Sequence, residues 1–151
     1  MTQKAGPKPA EIFVMSWEHF DHGADIGVRG CGASPAEAFA QAALAMMAVT
    51  TDPATVNPTV AVHVACEAPD LELLLVDWLI ALIYEMASHR MLFGHFAVRI
   101  AGNALQGEAW GETVDRARHP VVVEVKGATY TALRVEQNPA GLWLAECVVD
   151  V

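Results

Sequence analysis

At 151 residues the chain has the length of one ordinary domain. A hydrophobic content of 54% excludes a disordered chain. Nine basic against 18 acidic residues give a formal charge of −9 and no basic stripe, which argues against direct nucleic-acid binding and suits a basic protein partner or a hard cation.

The first residues, 1–13, carry Pro7, Pro9 and two lysines and are expected to form a flexible tail before a single domain over 14–151. They hold no apolar run of the signal-peptide kind. "VMSWEHF" and "DIGVRGC" read as two short strands joined through "DHGA". "SPAEAFAQAALAMMAVT" reads as a helix: Ser34 caps, Pro35 suits the first position and Glu37 completes a capping box. Its apolar stripe is Ala38, Phe39, Ala42, Ala43, Met46 and Met47. "TVAVHVACE" alternates as a strand. A second helix follows in "PDLELLLVDWLIALIYEMASH", with Leu71, Leu74, Leu75, Trp78, Leu79, Leu82 and Met86 on one face. Leu73, Ile80 and Tyr84 make the other side apolar too, so burial of that side within the monomer is expected, and a homo-oligomer is permitted. Glu72, Asp77 and Glu85 interrupt the run over 71–87, which falls short of a membrane span. No membrane association is expected, and the protein should be soluble and cytoplasmic.

Four further strands are predicted in "FGHFAVRIA", "ALQGEAWGETV", "VVVEVKGATYTALRV" and "GLWLAECVVDV", with hairpin turns at Gly102-Asn103 and Asn138–Gly141. In the third, alternation puts Lys126 on a face with Val122 and Glu124, opposite Val121, Val123 and Val125. Many strands with only two helices predict an α+β fold of two layers, a largely antiparallel or mixed sheet with both helices on one face.

The densest chemistry is in "HFDHGAD", residues 19–25. His19 and His22 point to opposite sides of a strand, and no cysteine is near in sequence, which argues against zinc. Cys31, Cys66 and Cys147 are odd in number, widely spaced and form no C-x-x-C pair, as expected of small side chains in a reducing compartment. No serine or cysteine sits in a nucleophile elbow, so a catalytic centre is not expected. Asp21 and Asp25 flank Gly23 and offer oxygen ligands to calcium, magnesium or manganese. Asp150 and the terminal carboxylate of Val151 are a natural second half of such a site if the fold joins the ends. Glu112, Asp115 and His119 in "GETVDRARH" read as surface residues.

Taken in order, "WEHFDHGADIGVRGCG", "AEAFAQAALAMM", "DLELLLVDWLIALIY", "GETVDRARH", "EVKGATY" and "VVDV" resemble the archease family from about Trp17 to Val151. The resemblance implies a non-catalytic activator of an RtcB-type RNA ligase in tRNA splicing and RNA repair. Such a factor promotes guanylylation of the ligase and its multiple turnover. It also implies a bound divalent cation, calcium-like, on Asp25, Asp150 and Val151, with Asp21 extending the site. Asp25, Asp150 and Lys126 would serve ligase activation. The chain departs from the family pattern in having Gly23 for a threonine and Thr131 for a histidine. Two other classes stay open: a stand-alone metal-dependent phosphoesterase using Asp21, His22, Asp25 and Asp150, and a general chaperone or adaptor for RNA-modifying enzymes acting through the second helix.

Overall fold

In the computed structural model, which describes residues 15–151, the strands form two antiparallel sheets sharing one core. The elements are β1 (Ser16–His22), β2 (Asp25–Gly32), α1 (Pro35–Thr50), a single 3-10 turn (Pro53–Thr55), β3 (Val60–Glu67), α2 (Leu71–His89), β4 (Met91–Ala101), β5 (Ala104–Thr113), β6 (Gly127–Ala128), β7 (Arg134–Gln137) and β8 (Trp143–Asp150). The expected tail over residues 1–13 lies outside the described residues. The α+β class is as predicted, but the strands divide. The first sheet runs β1-β2-β8, and the far edge of β8 is shared by β6 at its Asp150 end and β7 at its Trp143 end. The second runs β3-β5-β4.

Helix α1 packs on β1, β2 and β8 and also reaches β4, while α2 packs mainly on the second sheet. The predicted α1 stripe is buried throughout, with Phe39, Met46 and Met47 fully enclosed. Capping follows the expected chemistry with one shift. Glu37 N–H donates to Ser34 Oγ at 3.2 Å, but the Glu37 carboxylate accepts from the amide of Ala33, one residue before the cap, at 2.8 Å. Gly30 lets β2 approach α1, since a Cβ there would overlap the Ala38 carbonyl oxygen and the Ala42 amide nitrogen. In α2, Asp70 Oδ1 accepts from Leu73 N–H at 2.8 Å, and Arg90 ends the helix at φ +54°. Trp78, fully buried, donates its indole N–H to the Phe39 carbonyl at 3.1 Å and ties the two helices together.

Two expectations are corrected. The far side of α2 is only partly covered: Leu73 is half-buried against the core, but Ile80 is 44% and Tyr84 64% exposed. Nothing among the described residues covers the helix around Ile80 and Tyr84. Nor do residues 121–135 form one strand; only Gly127–Ala128 and Arg134–Gln137 pair. Val122 and Val125 turn inward, three residues apart, while Val121 and Val123 are exposed, so the expected two-residue period fails. The backbone explains it. Val123 N–H donates to Thr50 O at the end of α1 (3.0 Å) and Lys126 N–H to Asp150 O on β8 (2.8 Å), so the segment bridges helix and sheet. No helix among the described residues is long and apolar enough to cross a membrane.

Candidate functional site

Strands β1 and β2 close on a two-residue turn, in which Gly23 takes φ +62°, a left-handed conformation that favours glycine. His22 pairs with Asp25 across it and Asp21 with Ile26. Ile26 in turn pairs with Val149 of β8. One step further along both strands, Asp25 and Asp150 therefore stand side by side on one face, with His22. Asp21 belongs to the opposite face, with Ile26 and Val149. On the other side of Asp150 lies Gly127, and Lys126 N–H closes on the Asp150 carbonyl. Asp25, Asp150, Val151 and Lys126, scattered over 127 positions of sequence, thus gather at one end of the first sheet.

Asp150 and Val151 are exposed and Asp25 half-buried. Among the described residues no hydrogen bond or ion pair engages the Asp25 or Asp150 carboxylate. Two like charges abreast on a sheet repel unless something positive lies between them. The donors are all hard oxygens, the kind calcium or magnesium takes. Among the described residues no three His, Cys, Asp or Glu side chains converge on a metal-sized point. A cation here would rest on two carboxylates and main-chain oxygen, completed by water or a partner, which is a fit for a weak, exchangeable site.

His19 takes a structural part: its Nε2 lies 2.7 Å from the Ala45 carbonyl and fastens β1 to α1. Glu112, Asp115 and His119 form a separate brace. Glu112 accepts from Asn57 N–H at 2.7 Å and pairs with Arg118, whose guanidinium also donates to Thr55 O at 2.8 Å. His119 is not at the surface as expected but 1% exposed, its Nδ1 accepting from Asp115 N–H at 3.1 Å and its Nε2 3.3 Å from Glu112. An accepting Nδ1 leaves Nε2 as the donor, yet that nitrogen is buried and makes no hydrogen bond among the described residues, close as it is to Glu112. The brace locks the loop after β5 onto the 3-10 turn, and it contributes no nucleophile.

Two features escape sequence reading. Glu146, in the apolar stretch "LAECVVD", is 6% exposed and meets Arg29 at 2.6 Å and Arg134 at 3.3 Å. The Glu146 hydrogen bond holds the Arg29 guanidinium above its usual pKa. Thr50 is 5% exposed at the end of α1, beside an apolar cleft whose walls come from four separate segments. The three cysteines are free, and burial pushes the Cys147 thiol up to about 12.

The model of the Archease protein family (MTH1598/TM1083) matches residues 17–151. Protein archease of Pyrococcus furiosus is 37% identical over 142 residues, covering 91% of this chain and 100% of that one. Protein archease of Thermococcus gammatolerans is 40% identical with the same coverage. The solution structure of Methanobacterium thermoautotrophicum protein 1598 superposes with a TM-score of 0.79 at 33% identity, covering 90% of this chain and 99% of that one. A Thermotoga maritima structure described as an archease and possible chaperone shares the fold at a TM-score of 0.58 and 18% identity, covering 87% and 94%. With the family model spanning all but the first sixteen residues and relatives matched along their full length, the chain belongs to the archease family.

Proposed function

We propose that the protein is a non-catalytic accessory factor of an RtcB-type RNA ligase, acting in tRNA splicing and RNA repair in the cytoplasm. It promotes guanylylation and repeated turnover of that enzyme. The observation that carries this reading is the meeting of Asp25 and Asp150 on one face, with Lys126 bound through its amide to the Asp150 carbonyl. Asp25, Asp150 and a main-chain oxygen of Val151 would hold a divalent cation, calcium before magnesium or manganese because the donor set is loose and open. Such a cation, when bound, neutralises the paired carboxylates and ties the β1–β2 turn to the end of β8. The Lys126 side chain is exposed and free to engage an anionic group on the partner. Three free cysteines suit a reducing compartment.

The test is a ligation assay with the ligase of the same source, reading the guanylylated intermediate and the number of turnovers. Wild type should raise both; Asp25→Ala and Lys126→Ala should lose most of the stimulation while keeping the wild-type melting temperature. Terbium luminescence should report a cation site in wild type and not in Asp25→Ala. Unchanged stimulation by Asp25→Ala would sink the reading, and phosphoester hydrolysis by the purified protein with divalent metal would replace it with the hydrolase class. A general chaperone role draws support from one observation, the exposed Ile80 and Tyr84 on α2, and predicts stable complexes with enzymes unrelated to the ligase.

A further inference from the structure

The second sheet ends on β3, which among the described residues pairs only with β5. Ala68 N–H donates to Asn103 O at 3.2 Å, in step with the β3–β5 register, and bonds of this kind recur at every second residue. Val60, Val62, Val64 and Cys66 therefore turn their backbone groups to β5. Ala61, His63, Ala65 and Glu67 turn theirs outward, and all four residues are exposed. The two-residue turn at Gly102-Asn103 agrees. It closes on the Ala101–Ala104 pair, which gives the even residues of β5 to β4 and the odd ones to β3.

Free sheet edges invite pairing, and proteins blunt them with charge, proline or a bulge. β1, the edge of the first sheet, carries Glu18, His19, Asp21 and His22. β4 is broken by a register shift between Phe93 and His95. β3 has none of these devices. It runs VAVHVACE without a shift, and its formal charge, on Glu67, stands at the very end.

The outward groups of β3 are complementary to themselves. When two copies pair antiparallel about a twofold axis perpendicular to the sheet, residues that meet lie on one face, so odd meets odd. Centred on Val64, Ala61 meets Glu67 of the second copy and His63 meets its Ala65, and all four outward residues find partners. Neighbouring registers fail. One centred on His63 sets Glu67 against Thr59, whose N–H is already given to Gly111 O. One centred on Ala65 sets Ala61 against Pro69, which has no N–H. Charge agrees with the Val64 register. The two Glu67 carboxylates stand at opposite ends of the ladder, each diagonal to His63 of the other copy. On the other face Val64 meets Val64 and Val62 meets Cys66, apolar against apolar.

We propose that β3 is a dimerisation edge, where a second copy of this chain adds its own β3, antiparallel and centred on Val64. The result is one six-stranded sheet, β4-β5-β3-β3-β5-β4. The ladder over Ala61–Glu67 is short beside the about 1,200–2,000 Å2 of a standard interface, so the dimer should come apart on dilution. This pairing is independent of the accessory-factor reading above.

Sedimentation of the full chain should show its mass rising from 16.2 kDa towards twice that as concentration is raised from about 1 μM to about 1 mM. Ala65→Pro removes an outward N–H from each copy and leaves the ladder to β5 intact. It should raise the dissociation constant about tenfold or more. Crosslinking reads the register without relying on that variant. Residues that meet without hydrogen bonds are about 4.5 Å apart at Cα, close enough for a disulfide. With oxidised glutathione as the acceptor of two electrons and two protons, Val62→Cys in a Cys31→Ser background should give a covalent dimer through Cys66 of the other copy. Val60→Cys in the same background should not. Wild type that stays at 16.2 kDa throughout overturns the proposal. If the ligase then slows amide exchange at Ala61, His63, Ala65 and Glu67, the edge belongs to a strand of that enzyme instead. A dimer that Ala65→Pro leaves as tight, or that crosslinks through Val60→Cys and not through Val62→Cys, overturns it as well.

Discussion

Glu146→Ala probes what keeps β2 and β8 in the register on which the Asp25–Asp150 pairing depends. Glu146 lies directly opposite Arg29 of β2 and Arg134 of β7, and Arg29 lies opposite Glu18 of β1. The four side chains form a ladder across β1, β2, β8 and β7, with Arg29 also stacked over the Phe20 ring at 4.7 Å. The Glu146 side chain is 7% exposed, so its loss strands a guanidinium that had been drawn into the sheet. Breaking a buried pair costs about 3–5 kcal/mol. Arg29 keeps Glu18 and is 23% exposed, and Arg134 is 45% exposed, so water and the second carboxylate recover part of that. The expected net loss is about 2–3 kcal/mol. At about 3 °C per kcal/mol for a chain of this size, the melting temperature should fall by about 6–9 °C. Urea unfolding of Glu146→Ala, Arg29→Ala and the double variant completes a thermodynamic cycle, whose coupling should exceed about 0.5 kcal/mol. A drop of less than about 2 °C, or strictly additive single effects, would refute the claim that the ladder pins the register.

Gly30→Ala should destabilise by at least about 1–3 kcal/mol, because the added methyl meets the backbone of α1, which cannot swing aside as a side chain can; thermal melts check it. The Cys147 thiol holds its proton to about pH 12 when folded but titrates near its ordinary value when unfolded. The native state then binds the extra proton in between, so stability should fall as pH rises above about 9, and Cys147→Ala should flatten that limb in denaturation series against pH. Glu112 behaves oppositely. Arg118 and the Asn57 amide hold its carboxyl below the usual range. Its contribution is present above the ordinary carboxylate pKa and is lost as pH falls through the lower folded value, so Glu112→Gln should shallow the acid limb of the same series.

Much of the local architecture was legible because its causes are local. Ser34, Pro35 and Glu37 start α1 through contacts within four residues, and Asp70 starts α2 in the same way. Gly23, Gly102 and Gly141 mark turns because each takes a positive φ that their neighbours would resist. The joining of Asp25 to Asp150 was legible only as something the family resemblance implied, since no spacing within either segment reports its partner across the sheet. Strand partnership is a long-range choice. The division into two sheets, the broken strand at 121–135 and the exposed side of α2 all follow from which backbone groups find partners in other elements. Thr50 and Glu146 look ordinary in sequence, one a helix end and the other a charge in a strand. Packing alone made one a buried hydroxyl with no hydrogen-bond partner among the described residues and the other the centre of a charge ladder, because burial depends on what the rest of the chain lays over a residue.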